Sequence, residues 1–394
     1  MKLLSPFIFL VLFCWCLTAH AVKEDMPIIA YYGVPDWQTT EENFRIFSEC
    51  GFTVSIYASY PSLDLLVRAC RYADKHNVRI IGTCPEISAD AAKAINTLKK
   101  ERGFFGYFIQ DEPSVPEMPL LQKRIQDIQA NDTSHTFYVN LLPYYQQDMF
   151  VPVAKANSYE AYLNASTILS CQQISFDYYP VTSSGIRATW YQNLELVRKT
   201  SLRTGKPFWG FALSVPHIIY PTPALASLRL QIYVNLAYGA QAIQYFTYWT
   251  PAPTDEYDYH DAPISQDGKK TKAYNVVQQM NRELKTVSKL FNGAKVTSVH
   301  HLGTLSEGTT RQTVMPANLR SLKIVGRQGA VISQFEKDGH LYLAVVNKSH
   351  EQSLTVRIRT RNNTPKHVTK TLQEETVKNN YIIEAGDILL FKLK

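Results

Sequence analysis

Glycine-rich phosphate loops are missing from this 394-residue chain. Neither G-x-G-x-x-G nor G-x-x-x-x-G-K occurs, so the turns that hold a dinucleotide or a nucleotide phosphate have no counterpart. No C-x-x-C pair and no cysteine beside a histidine at ligand spacing is present, which argues against a zinc site; no metal or other cofactor is called for. Low-complexity tracts are absent, and charged residues make up only 19% of the chain. Beyond the first 21 residues no apolar run approaches the ~20 residues of a membrane-spanning helix. From Lys295 onward fifteen Lys or Arg face eight Asp or Glu, which accounts for the whole formal charge of +7. Those basic residues, Arg357, Arg359 and Arg361 among them, follow a strand alternation instead of clustering with aromatics. They read as a solvated sheet face, not as a nucleic-acid surface.

What the chain has in quantity is aromatic residues: 24 Tyr, 18 Phe and 5 Trp. It also begins like an exported protein. Lys2 precedes an apolar run from Phe7 to Leu17 and a small-x-small site, Ala19-His20-Ala21. This predicts a signal peptide over residues 1–21, cleavage after Ala21 and a periplasmic or extracellular location. Phe13 and Trp15, before Cys14 and Cys16, do not suit a lipoprotein site. Four cysteines then remain, Cys50, Cys70, Cys84 and Cys171. One disulfide is compatible with export, but buried thiols are the simpler reading.

From Pro27 to Asn292 short apolar runs alternate with amphipathic helical patterns, the mark of βα units and a parallel sheet. Eight strands are expected, at Ile28–Tyr32, Thr53–Tyr57, Arg79–Thr83, Phe105–Gln110, Thr136–Leu141, Gln173–Asp177, Pro207–Leu213 and Ala242–Tyr248. That count predicts an α/β fold, a closed (β/α)₈ barrel over residues 22–294. After Gly293 only strand patterns follow, including Ala330–Phe335, Leu341–Asn347, Ser353–Ile358, Tyr381–Glu384 and Ile388–Leu393. They predict a small all-β sandwich over residues 295–394 that contributes no catalytic acid.

In such a barrel the chemistry sits at the C-terminal ends of the strands. The fourth strand ends Gln110-Asp111-Glu112-Pro113, with two consecutive carboxylates. A capping box, Ser114-Val115-Pro116-Glu117, explains Ser114 and Glu117 but leaves Asp111 and Glu112 on the strand tip. Pro113 is expected to hold Glu112 in an extended conformation. The sixth strand ends at Asp177. Rings at the strand tips, Tyr32, Tyr145, Tyr178, Tyr248 and Trp249, are the candidate substrate-binding residues. Aromatic faces beside paired carboxylates suit sugar chemistry, in which one carboxyl protonates the leaving oxygen and the charge of an oxocarbenium-like transition state is stabilised. The catalytic candidates are therefore Glu112, Asp111 and Asp177, with Glu86 in reserve. His217 and Tyr220 lie in a Pro-rich loop with a weaker signal. The loop Pro251–Gln266 reads most simply as an exposed acidic loop, with a lid or a calcium loop as the alternatives.

The Asp111-Glu112-Pro113 ending, Tyr248-Trp249, the run Asp267-Gly268-x-x-Thr271-x-x-Tyr274 and the terminal Gly386-Asp387-Ile388-Leu389-Leu390 together resemble barrel glycoside hydrolases of the β-galactosidase-like superfamily. The resemblance implies cleavage of O-glycosidic bonds in an oligo- or polysaccharide, with Glu112 as acid/base. It departs at two places, the first being that the fourth strand of that superfamily usually ends Asn-Glu where this chain has Asp111-Glu112. That superfamily carries a nucleophilic Glu at the end of the seventh strand, whereas Phe208 to Ser214 holds no carboxylate. The Asp-Glu pair also resembles hexosaminidases in which the substrate's 2-acetamido group is the nucleophile and the Asp accepts its N–H. Two schemes stay open: Asp111 assisting such a substrate, or Asp177 acting as base or nucleophile opposite Glu112. A barrel that binds glycans without cleaving them is the alternative function. Oligomeric state is not legible.

Overall fold

Eight parallel strands close into a barrel in the computed structural model, which describes residues 25–145, 147–325 and 329–394. The expected signal peptide lies outside these residues. The barrel strands are β1 (Ile28–Tyr31), β2 (Val54–Ile56), β3 (Arg79–Gly82), β4 (Phe104–Asp111), β5 (Thr136–Leu141), β6 (Ile174–Phe176), β7 (Phe208–Leu213) and β8 (Ala242–Phe246). Each of the eight strands expected from the sequence is present, and β1 pairs with β8 to close the ring. Alternate side chains point inward, where Ile29, Val54, Ile56, Ile81, Phe108, Tyr138 and Trp209 fill the barrel.

The helices start where the sequence supplies a cap. Thr40, Ser62 and Ser158 each accept a hydrogen bond from the backbone N–H three residues on. Most helices bury one stripe against the strands. Helix Leu225–Tyr238 differs: nearly every residue from Ser227 onward is buried. Its outer side is covered by the C-terminal sheet, so a polar face would have had no solvent to meet. A helix at Gln147–Ala154, not evident from the sequence, rises beside the barrel mouth.

The C-terminal region comprises β9 (Lys295–Leu302), β10 (Leu319–Val325), β11 (Ala330–Lys337), β12 (His340–Asn347), β13 (Leu354–Thr360), β14 (Lys366–Val368), β15 (Glu374–Thr376), β16 (Asn380–Ile383) and β17 (Ile388–Lys392). They form two antiparallel sheets, β9-β11-β12-β17-β14-β15 and β10-β13-β16, a sandwich as expected. Leu322, Ile332, Leu343, Val356 and Phe391 lie between the sheets. Neighbours of opposite parity, Val331, Phe335 and Val346, face the barrel, so the larger sheet is buried on both sides. Gly386 touches the barrel so closely that a Cβ there would lie 2.1 Å from the Ala226 carbonyl oxygen. Cys50, Cys70, Cys84 and Cys171 are buried free thiols. Among the described residues no helix is long and apolar enough to cross a membrane.

Candidate active site

A cavity of about 490 Å³ opens at the C-terminal end of the barrel. Asp111, Glu112, Asn140 and Asp177 lie at its polar end, and among the described residues no residue of the sandwich lines it. Two adjacent residues of a regular strand point to opposite faces, yet Asp111 and Glu112 both face the cavity. A bulge in β4 explains the first. The pairing with β5 slips between Phe108 and Gln110, so the inward parity of Phe108 passes to Asp111. Backbone conformation explains the second. Glu112 stands at φ +46°, which overturns the extended conformation expected from Pro113. Its N–H is held by the Asn140 carbonyl at 2.8 Å, so the turn is made while the residue is still tied to β5. Left-handed backbone at a non-glycine residue is costly and concentrates at functional sites. The capping box is formed as expected: Ser114 N–H donates to Glu117 Oε2 at 2.7 Å.

The three carboxyls feel one another's charge. Tyr31 OH donates to Asp111 Oδ2 at 2.8 Å. Asn140 Nδ2 donates to Asp177 Oδ1 at 2.9 Å. The Glu112 and Asp177 carboxyl groups are near enough for each to shift the other's titration. Burial, then the Asp111 charge, pushes the Glu112 carboxyl up to about 7. Asp177 is buried, and burial followed by the Glu112 and Asp111 charges raises it well above the usual carboxylate range. Asp111 is raised by burial, against the opposing hydrogen bonds from Tyr31 and Asn140. Asp111 and Glu112 present their surface to the cavity while protein encloses them elsewhere. A ligand that displaces the cavity water would raise them further.

Beneath the carboxyls runs a chain of buried polar groups. Tyr138 OH donates to Gln244 Oε1 at 2.9 Å, and Gln244 Nε2 to Ser175 Oγ at 2.8 Å. Ser175 Oγ donates in turn to Asn140 Oδ1 at 2.9 Å. With its oxygen so engaged, the Asn140 amide must turn its nitrogen toward Asp177. Sequence reasoning passed over Asn140, Ser175 and Gln244. Their signal is a polar residue within an apolar barrel strand.

Of the five expected sugar-binding rings only Tyr145 lines the cavity. Tyr32 packs on Tyr57 outside it, with ring centroids 5.7 Å apart. Tyr178 is buried behind Tyr145, and its OH pairs with Thr189 at 2.7 Å. Tyr248 packs on Phe47 and Phe52 beneath a helix, and Trp249 is buried against Gly268. Parity is the reason for two of them, since the inward rings are their neighbours, Tyr31 for Tyr32 and Tyr179 for Tyr178, whereas Tyr248 lies beyond the end of β8, whose last inward ring is Phe246. Glu86 is elsewhere, accepting from the Leu63 N–H at 3.0 Å.

Phe211 occupies the inward position of β7, so the cavity wall there is apolar where the resemblance would place a carboxylate. His217 and Tyr220 do line the cavity, as do Tyr257 and Tyr259 of the loop 251–266. His217 Nδ1 lies 3.1 Å from the Val215 carbonyl, which fixes the proton on Nδ1. Burial lowers its pKa, so Nε2 is an acceptor at neutral pH. Arg187 braces this wall, 4.5 Å over the Tyr145 ring and 3.0 Å from Tyr220 OH. Among the described residues no group of three or more His, Cys, Asp or Glu could hold a metal ion.

The family model of glycosyl hydrolase 42, β-galactosidase, matches residues 139–287. This stretch contains Asn140 and Asp177 but begins after Asp111 and Glu112. No curated protein matches in sequence. Among solved structures, a catalytic mutant of a GH42 β-galactosidase from G. stearothermophilus is similar at TM-score 0.62 and 7% identity, over 94% of this chain and 98% of that one. A β-galactosidase from Bacillus circulans sp. alkalophilus gives 0.59 at 10% identity, over 94% and 99%. That from the psychrophilic Marinomonas ef1 gives 0.47 at 9% identity over 67% of this chain, which spans 60% of the other's length. In fold, and over the matched stretch in sequence, the chain resembles barrel glycoside hydrolases.

Proposed function

We propose that the chain is an exported glycoside hydrolase in which Glu112 is the general acid/base, Asp111 orients the substrate and raises Glu112 through its charge, and Asp177 stands beside Glu112 as a carboxyl that burial and its neighbours' charges hold protonated. The observation that carries this is the gathering of Asp111, Glu112 and Asp177 at one end of an aromatic cavity. At neutral pH Glu112 is poised around its half-protonated point, where a carboxyl can both give and take a proton.

The nearness of Glu112 and Asp177 supports one scheme over the others. Acid and nucleophile stand about 5–5.5 Å apart in retaining glycosidases, and acid and base about 6.5–9.5 Å apart in inverting ones. Glu112 and Asp177 act on one another as near neighbours, closer than either of those arrangements asks for. Asp177 is thus a neighbour of the acid and not the group opposite it, and β7 offers no carboxylate in its place. A substrate carrying its own nucleophile fits what remains. The carbonyl oxygen of a 2-acetamido group attacks C1 while Glu112 protonates the leaving oxygen. Asp111, an acceptor when ionised, holds the acetamido N–H. The Glu112 carboxylate then takes a proton from the water that opens the ring, which restores the acid.

Glu112→Gln tests the reading on a 2-acetamido glycoside with a poor leaving group. A rate loss of at least ~10²-fold is expected, the usual scale for general acid catalysis. Full activity would remove Glu112 from the chemistry. The apolar β7 wall favours a second reading, a glycan-binding barrel without turnover. Glycan binding with no hydrolysis by the intact protein would establish it. Export rests on the first 21 residues; N-terminal sequencing of the secreted protein tests it, with a start at Val22 expected.

A further inference from the structure

The carboxyls stand at one end of the cavity. Beyond the carboxyls, one wall is built by the loop and helix that follow β5, with Leu142, Pro143, Met149, Phe150 and Val153. Met149 is 64% exposed and Val153 57%. Across the mouth, on the loop after β8, Tyr257 stacks on Tyr259 with centroids 5.3 Å apart and planes 7° from parallel. His217 packs against Tyr259 at 4.7 Å. Among the described residues no lysine or arginine lines the cavity, and its acids are Asp111, Glu112 and Asp177. Aliphatic side chains left open to water around one cavity mouth mark a place where apolar surface is to be covered.

We infer that the outer half of the cavity is a leaving-group subsite for an apolar aglycone, so that the substrate is an amphiphilic glycoside with its sugar on the carboxyls and an aromatic or alkyl group between Met149 and Tyr257. The inference rests on the glycosidase reading of the inner end. A second pyranose would need hydrogen-bond partners around its rim, and the wall made by Met149 and Val153 offers none. An anionic leaving group would meet no cation in the lining and three carboxyls behind it.

Two measurements on the full-length protein test this, with the double variant Met149→Ser/Val153→Ser as the control for the wall. Both side chains are exposed, so the double variant should melt at the temperature of the wild type. In the first, 4-methylumbelliferone alone is titrated by fluorescence. Saturable binding is expected, weakened at least fivefold by the double variant. In the second, KM is compared for methyl and hexyl 2-acetamido-2-deoxy-β-glucopyranoside, whose leaving groups differ mainly in apolar length. The hexyl glycoside should have a KM about tenfold lower at similar kcat, since partial burial of five methylenes is worth about that. The double variant should erase the difference. Equal KM values, or 4-methylumbelliferone binding that ignores the double variant, would overturn the inference while leaving the glycosidase reading intact. If neither glycoside is cleaved but the double variant still abolishes 4-methylumbelliferone binding, the apolar subsite stands and the glycosidase reading falls.

Discussion

Glu112 at the end of β4 and Asp177 at the end of β6 meet over the intervening strand β5, whose Asn140 donates to Asp177 from below. Two neighbouring buried carboxyls cannot both ionise at ordinary cost, so the pair retains a proton at neutral pH. Its titration belongs to the pair and not to either member. Both shifts are upward, and for both burial is the leading cause.

The sign of the pH dependence follows. A general acid acts in its protonated form, which for Glu112 prevails below about 7 and is lost above it. The expected profile of kcat/KM therefore has an alkaline limb with an apparent pKa near 7, one or more units above that of an ordinary glutamate. A rate still rising above pH 8 would show that the protonated pair is not the active form.

Asp111 raises Glu112 through its charge. Asp111→Asn removes that charge, so the alkaline limb should move to lower pH while turnover of 2-acetamido sugars falls. An unmoved limb would mean that the two carboxyls do not sense one another.

Tyr31→Phe tests the other partner. The Tyr31 hydroxyl holds Asp111 in its ionised form, and without it the Asp111 carboxyl should titrate higher still. The acid limb of the profile should then shift to higher pH, with kcat affected more than KM. A merely structural tyrosine would leave both limbs in place.

The barrel was legible in the sequence because each strand is a short apolar run between helical patterns, and burial on both faces makes that signal strong. Asp111, Glu112 and Asp177 were legible as acids at strand ends. The direction of their side chains was not. It depends on a bulge at Phe108–Gln110 and a positive φ at Glu112, neither of which has a sequence signature. The rings failed for a related reason. Strand parity puts Tyr31, Tyr179 and Phe246 inside, and a string of adjacent aromatics such as Asp177-Tyr178-Tyr179 hides which parity applies. In the sandwich, β9 was missed because a bulge between Val296 and Ser298 breaks its alternation. The strands β14 and β15 are three residues each, too short to show a period.

Docking of the sandwich depends on an ion cluster centred on Glu283. Arg229 reaches it in a fork, at 3.1 and 2.7 Å, and Lys370 at 2.8 Å; Tyr233 OH also donates to it. Lys370 and Arg229 meet Asp387 of the sandwich as well, at 2.7 and 3.5 Å. The Glu283 and Arg229 side chains are only 14% and 17% exposed. Glu283→Ala leaves Arg229 enclosed with its main partner gone and should cost about 3 kcal/mol. Denaturant titration checks this, and a loss below about 1 kcal/mol would show the cluster to be solvated in practice.

A second contact between barrel and sandwich predicts how the protein responds to acid. His301 on β9 is fully buried, with Nε2 2.9 Å from Tyr238 OH and Nδ1 3.2 Å from the Lys348 ammonium. Tyr238 OH also lies 2.9 Å from Glu195 Oε1. One proton arrangement satisfies all four groups. Lys348 donates to Nδ1, Nε2–H donates to the Tyr238 oxygen, and Tyr238 O–H donates to Glu195. A further proton on His301 would have to sit at Nδ1, facing an ammonium. Burial first, then the Lys348 charge, accordingly pushes its pKa down to about 3. A histidine depressed in the folded state contributes stability that is complete above its unfolded pKa of about 6.5 and is lost as pH falls through the interval toward 3. Two pH units below 6.5, at pH 4.5, the loss should be about 3 kcal/mol. His301→Gln cannot take up the proton, so it should be less stable than the wild type at pH 7.5 and lose less on acidification. Thermal melts of both proteins at pH 7.5 and 4.5 cancel the other titrating groups. A stability gap of the same size at both values would show that His301 does not govern the acid response.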